Sequence, residues 1–393
     1  MTNLHTSGAA TGSGDGSRPR AALPARCATQ ITSWGIVYYA FPVLNPQITA
    51  DTGWSTGATT AAFSAALLVS ALAGIRVGRI IDHRGPRTVM TTGSALGALS
   101  LLIVAAAPDI AVFTAGWLLA GLAMASTFYQ PAFAALTRWW APDHVRALTV
   151  VTLAGGLAST VFAPVTATLA AHMSWRTTYT VLAVILTVIT IPAHALALRA
   201  PWPQAPASVT PDDRSAQQAE RTRPFWLLAT ALTISAFAMY AVVVALVPLL
   251  LARGYSTTQA AWALGLGGAG QTLGRTLYAA LARRTRPTAR TSTLIGLGGV
   301  TTAALALVPG PYPLLLGLSL AAGMVRGNLT LLVTVAPYCA DLKLEISPRC
   351  TSGSTKGLGR SEGPYARGAP VGPFPQSRAA AVVGWSCRTP PLG

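Results

Sequence analysis

Charge is what this sequence has least of. Only 10% of its 393 residues are charged, Asp and Glu together number 11, and lysine occurs only at Lys343 and Lys356. A water-exposed domain carries roughly 25% charged residues, so the composition excludes an ordinary soluble globule of this length. Cysteine is sparse too. Cys27, Cys339, Cys350 and Cys387 form no CxxC pair, which excludes a disulfide framework and a thiolate metal centre. The chain contains no P-loop, HExxH or GxSxG, which argues against an ATP-driven pump, a zinc protease or a serine hydrolase. The chain is read as neither an enzyme nor a cofactor carrier. The first 22 residues are rich in Gly, Ser, Thr and Ala with no apolar core. They read as a disordered cytoplasmic tail and not as a signal peptide.

What the sequence has instead is apolar length. Hydrophobic residues make up 52% of it and the mean hydropathy is +0.49. A helix of about 20 apolar residues crosses the ~30 Å hydrocarbon core. Ten such segments can be placed: Ala28–Ile48, Gly57–Ile81, Thr88–Ala107, Ile110–Leu136, Val145–Ala171, Thr177–Leu198, Pro224–Leu251, Thr258–Ala282, Thr291–Val308 and Tyr312–Val335. The expected fold is an all-α membrane protein of about ten spans.

The net charge of +17 could suggest nucleic-acid binding, but the arginines occupy short segments between spans and make no basic face interleaved with aromatics. With the N-terminus inside, sixteen arginines between Arg18 and Arg290 face the cytoplasm, against Arg176 and Arg253 outside. That asymmetry follows the positive-inside rule and predicts a multi-pass protein of the plasma (inner) membrane with both ends cytoplasmic. The expected partners are lipid and a small-molecule substrate, with the protein acting as a monomer.

The chain divides at residues 199–223, a polar stretch read as a cytoplasmic linker. Residues 23–198 form one six-helix bundle, and 224–335 form an incomplete second bundle of about four helices. The two are related. Gly53-Trp54-Ser55-Thr56 aligns with Gly254-Tyr255-Ser256-Thr257 at a shift of 254 − 53 = 201, which also sets Pro86 on Pro287 and Pro108 on Pro309. Repeated halves with a midplane site at their junction are common in secondary transporters. Residues 336–393 break the pattern. They are rich in Gly, Pro, Ser and Arg and hold both lysines. Two readings stand: a frameshift that replaced the last two spans, or a natural tail on a ten-helix protein.

Between the second and third spans stands Gly78-Arg79-Ile80-Ile81-Asp82-His83-Arg84-Gly85-Pro86-Arg87. It resembles the loop signature of the major facilitator superfamily, with Gly78, Asp82, Gly85 and Arg87 on pattern positions and His83 and Pro86 departing from it. The resemblance implies two six-helix halves that rock by alternating access, with this loop as a latch whose family partner is the eleventh helix. Physically, Gly78 would allow close helix approach, Gly85 and Pro86 a tight turn, and Asp82 a partner for arginine or a helix N-terminus. Trp139-Trp140, Arg146-Ala147 and Gly155-Gly156 resemble the monocarboxylate and oxalate–formate branch. Ser159, Val161, Ala163, Pro164 and Ala167 resemble a degraded antiporter signature. The resemblance covers about residues 28–335.

An ionisable residue inside a membrane costs about 2.5–3.5 kcal/mol or more, so it marks a functional candidate. Arg275 and Arg326 qualify, and Arg76 reads as structural near the cytoplasmic face. In the branch resembled, an arginine at the position of Arg275 holds a substrate carboxylate, for which a guanidinium fork is suited. Tyr39 and Asn45, flanked by the kink points Pro42 and Pro46, and Tyr129 and Gln130 in the fourth span complete the substrate-binding candidates. No span contains Asp or Glu, so a buried carboxylate relay is absent. His172 and His194 read as interface residues. Gly265-Leu266-Gly267-Gly268-Ala269-Gly270 satisfies GxGxxG but lies inside a span and follows no strand, so helix packing accounts for it. The function expected is transport of a small organic anion. The alternatives are drug-type efflux or a transport-incompetent fragment.

Overall fold

The computed structural model describes residues 21–140, 144–202 and 223–328. Residues 329–393 lie outside this set, and both readings of the tail lie there with them. The described chain is helical throughout. It runs α1 (Ala22–Ser33), a π-helical turn (Trp34–Tyr39), α2 (Ala40–Thr52), α3 (Thr56–Arg84), α4 (Pro86–Ala106), α5 (Ile110–Thr127) and α6 (Tyr129–Trp139). It continues with α7 (His144–Gly156), α8 (Ala158–His172), α9 (Trp175–Ala197), α10 (Arg223–Ala252), α11 (Thr257–Arg284), α12 (Pro287–Leu307) and α13 (residues 312–328).

Several of these are segments of one rod. α1, the π turn and α2 run on without a break, α5 continues into α6, and α7 into α8. The result is ten rods, one for each span predicted from apolar length. By length and composition alone, six helices are long and apolar enough to cross a membrane.

The sequence repeat is a structural repeat. Gly53 and Gly254 both adopt the left-handed conformation, φ 71° and 85°, as glycine can without strain. Two residues on, Ser55 and Ser256 cap the next helix, accepting from Ala58 N at 3.1 Å and Gln259 N at 3.2 Å. Pro86 and Pro287 then open α4 and α12 at the position where a missing N–H costs nothing. The same shift of 201 relates the carbonyls at the ends of α4 and α12. Arg176 donates to Ala105 O and Ala107 O at 3.0 and 2.7 Å, while Arg253 donates to Ala306 O and Val308 O at 2.6 and 3.3 Å. The carbonyls repeat, but the arginines arrive from different elements. What is retained is the need to satisfy the last carbonyls of a helix.

Close packing within each half also repeats. A Cβ on Gly121 would run into the Ala66 carbonyl, and one on Gly323 into the Gly267 carbonyl. Gly270, Gly274 and Gly327 continue this backbone contact between α11 and α13. Glycine is needed because helices approach this closely only where no side chain intervenes. The halves meet through Val43, Ala163 and Ala167 on one side and Leu246, Leu250, Ala260 and Leu264 on the other.

Replacing Gly270 with Leu forces α11 from α13. It should destabilise the protein by at least about 1–3 kcal/mol, read as a lower thermal midpoint in detergent. Gly296→Leu, where a Cβ meets nothing within 4 Å, should leave the midpoint unchanged. Equal midpoints for the two variants would contradict the contact.

Candidate functional site

The π-helical turn is a local consequence of packing. A Cβ on Gly35 would enter the Phe162 ring on α8, so the first rod passes close to the fifth where its winding loosens. Such turns re-aim consecutive side chains. Here Tyr38 and Tyr39 both turn inward, their rings 5.0 Å apart and nearly perpendicular at 82°. Tyr38 is fully buried, and its hydroxyl has no hydrogen-bond partner among the described residues. Its ring lies 5.7 Å from that of Tyr240 on α10, an edge contact between the halves.

Arginines converge on these rings. Arg326, 8% exposed on α13, is within electrostatic reach of Tyr38 and Tyr39. It packs beside Gly267, whose added Cβ would lie 3.3 Å from Nη2. Arg275, 6% exposed, is within reach of Tyr39 and Tyr240. Its Nη1 donates to the carbonyl of Thr152 on α7, crossing between the halves, while its buried Nε meets no acceptor. Thr272 Oγ1 donates to Leu153 O at 3.3 Å and Thr160 Oγ1 to Gly265 O at 2.9 Å, so α11 is tied across the junction to the fifth rod. Tyr129 lies near Tyr39 and Tyr240, with its hydroxyl against Gly155.

Four of the six substrate candidates, Tyr39, Tyr129, Arg275 and Arg326, therefore meet in one mid-depth cluster. The other two lie elsewhere. Asn45 is buried about 9 Å further along α2, its Oδ1 without a donor. Gln130 turns to Gly74 on α3, where an added Cβ would come within 2.7 Å of Oε1. Tyr38 and Tyr240 were not among the substrate candidates, and Tyr240 had a signal: it stands at Tyr39 plus the repeat shift of 201. The described carboxylates all sit at helix ends. Asp51 accepts from Trp175 Nε1 at 2.9 Å, Asp109 caps α5, and Asp82 lies near the end of α3. The cluster thus presents guanidinium and phenol donors with no competing carboxylate among the described residues. Such a lining offers positive charge and hydrogen-bond donors.

At the arginine-rich end, the loop signature takes its own shape. Gly85 adopts φ 77° and Pro86 opens α4, the tight turn expected. Gly78 faces open space, so the close helix approach expected there is not what holds the loop. Asp82, instead of resting on a helix N-terminus, pairs with Arg138 of α6 at 2.7 Å. Arg87 donates to Ala195 O at 2.9 Å, capping the end of α9. The first residues after α9 clasp this loop. Trp202 donates Nε1 to Asp82 O at 3.1 Å and packs on Gly85. The Arg138 guanidinium lies 4.7 Å over the Trp202 ring, and Trp139 Nε1 donates to Pro201 O at 3.2 Å. An exposed ion pair is worth about 0–1 kcal/mol alone, so the indole stacked on it carries much of the clasp. Arg76, read as structural, is exposed on α3.

Two repeated helical bundles with long apolar rods and a cluster of buried cations between them define a multi-pass α-helical membrane protein. The chain belongs to the Major Facilitator Superfamily, whose sequence model matches residues 27–341. A crystal structure of a bacterial homologue of the human lysosomal transporter Spinster, inward-facing and unoccupied, superposes with a TM-score of 0.68. That match covers 84% of this chain and 80% of the other at 15% identity. The inward-facing, occupied form gives 0.59 over 84% and 76% at 14% identity. At these identities the likeness concerns the fold alone. The chain is also 27% identical over 198 residues to an uncharacterized 38 kDa protein in the 23S RNA operon of Thermoproteus tenax. It spans about half the length of that curated relative.

Trp202→Ala should open the clasp. Trypsin cleavage of the detergent-solubilised protein after Arg84 and Arg87 should accelerate several-fold, with Trp202→Phe intermediate. An unchanged cleavage rate would show that the indole does not hold the loop.

Proposed function

We propose that this protein carries a small organic anion across the plasma (inner) membrane by alternating access, as a monomer with both termini cytoplasmic. One observation supports this above the others. Arg275 and Arg326 are buried at mid-depth among Tyr38, Tyr39, Tyr129 and Tyr240, and the described carboxylates all lie at helix ends. Arg275 holds the substrate carboxylate. One of its nitrogens is anchored to Thr152 O in the first half, while Nε is left for the ligand. Arg326 supplies a second positive field, and the phenols donate hydrogen bonds to substrate oxygens.

The contact of Arg275 with α7 also supports a route to movement. Arg275 belongs to the second half and Thr152 to the first, so a carboxylate drawn to Arg275 competes with a bond that joins the halves. Anion binding then biases their relative position, as a ligand must if it is to shift a conformational equilibrium. In this reading Tyr39 and Tyr240, equivalent by the repeat, line the substrate cleft between the halves, one from the first rod of each. They form its matched walls.

Purified protein in liposomes should take up labelled mono- or dicarboxylates. Arg275→Ala should weaken substrate affinity by about 2–5 kcal/mol, at least about thirtyfold, with membrane insertion intact. Arg275→Lys should recover little, because a point charge does not reproduce the fork. Flux of hydrophobic cations without any carboxylate flux would favour drug-type efflux, and no flux of either would favour a transport-incompetent fragment.

A further inference from the structure

Another cation is sealed inside the first half, apart from the cleft. Arg26 was counted with the loop arginines that set orientation, yet it lies one turn inside α1 and is fully buried. Its Nη1 rests against the Met90 thioether of α4, while Nε and Nη2 have no acceptor among the described residues. One turn further, Gln30 is also fully buried. Its amide nitrogen donates to Thr127 O at 2.7 Å, and Oε1 has no donor. From α9, His194 is 1% exposed, with Nδ1 2.8 Å from Ser94 Oγ and Nε2 unpartnered. Met90 and Ser94 lie one turn apart on α4, and Arg26 is within electrostatic reach of His194. Ala22, Met90, Ala135, Trp139 and Leu198 form the apolar cluster at the arginine-rich end.

A guanidinium does not lose its proton in a protein, and a buried ion without a counter-charge costs several kcal/mol. The described carboxylates do not provide the counter-charge. Asp82 is engaged by Arg138, Asp51 by Trp175, and Asp109 by the first turn of its own helix. A trapped water would satisfy the N–H groups but leave the charge, which is the larger cost. We propose that Arg26 holds one small monovalent inorganic anion of the chloride class inside the first bundle, on the side facing His194. The Arg26 Nε and Nη2 hydrogens supply two donors. Ser94 donates to Met90 O at 3.0 Å, so the His194 ring hydrogen stands on Nδ1 toward Ser94 Oγ and Nε2 is an acceptor. Gln30 Oε1 accepts from a water beside the anion.

The test uses the full chain in detergent, with thermal unfolding followed by tryptophan fluorescence as sodium chloride replaces sodium gluconate at constant ionic strength. The wild-type midpoint should climb with chloride as linkage requires of a ligand that binds only the folded state. Arg26→Met should abolish the climb, and Arg275→Ala should retain it, separating this site from the cleft. A midpoint indifferent to chloride, a climb that persists in Arg26→Met, or one lost in Arg275→Ala would overturn the proposal. Should Arg26→Met fail to fold, crystals of the wild type grown in bromide decide the matter. An anomalous peak between Arg26 and His194 supports the site, and water density alone refutes it.

Discussion

A guanidinium buried in a membrane protein must find oxygen or a counter-ion, and the described carboxylates of this chain all lie at helix ends. Much of its organisation follows from how that demand is met. Near the helix ends it is met by backbone: Arg87, Arg176 and Arg253 donate to the last carbonyls of neighbouring helices, where the helix dipole also favours a cation. At the junction of the halves it is met only in part. Arg275 reaches one carbonyl across the junction and keeps a buried nitrogen unpaired. Deep in the first bundle, Arg26 has a thioether and no oxygen at all among the described residues. The less the backbone provides, the stronger the case for a ligand.

The duplicated architecture explains why the cluster sits where it does. The first rod of each half brings a tyrosine to the same depth, Tyr39 and Tyr240, and the second and fourth rods of each half pack through backbone contact at small residues. The cations at the junction are departures from the repeat. At the shift of 201, Arg275 falls on Gly74. In the first half that glycine admits Gln130, whereas in the second half the equivalent position projects a cation into the junction. One scaffold position thus serves packing in one half and carries a buried cation that bridges the halves in the other.

The loop signature shows a different kind of compensation. In the family it resembles, the loop is latched by an eleventh helix. Here the described contacts are made inside the first half, by Arg138 from α6 and by Trp202 just beyond α9. The start of the inter-half linker is therefore fastened to the loop that couples the second and third spans.

The sequence by itself determined the ten rods, their repeat and the rarity of charge within them, because apolar length and a constant offset survive without knowledge of neighbours. It also singled out Arg275 and Arg326, since a membrane-embedded cation is conspicuous in any apolar run. It misjudged Arg26, because polar residues at the start of a helix look like loop until other helices are seen to cover them. Tyr240 was legible only through the offset that pairs it with Tyr39. Tertiary structure alone decided that Gln130 turns to Gly74, that Asp82 pairs with Arg138, and that Arg275 reaches Thr152. Each depends on which faces of distant helices meet, and hydropathy along a single helix does not encode its neighbour's rotation.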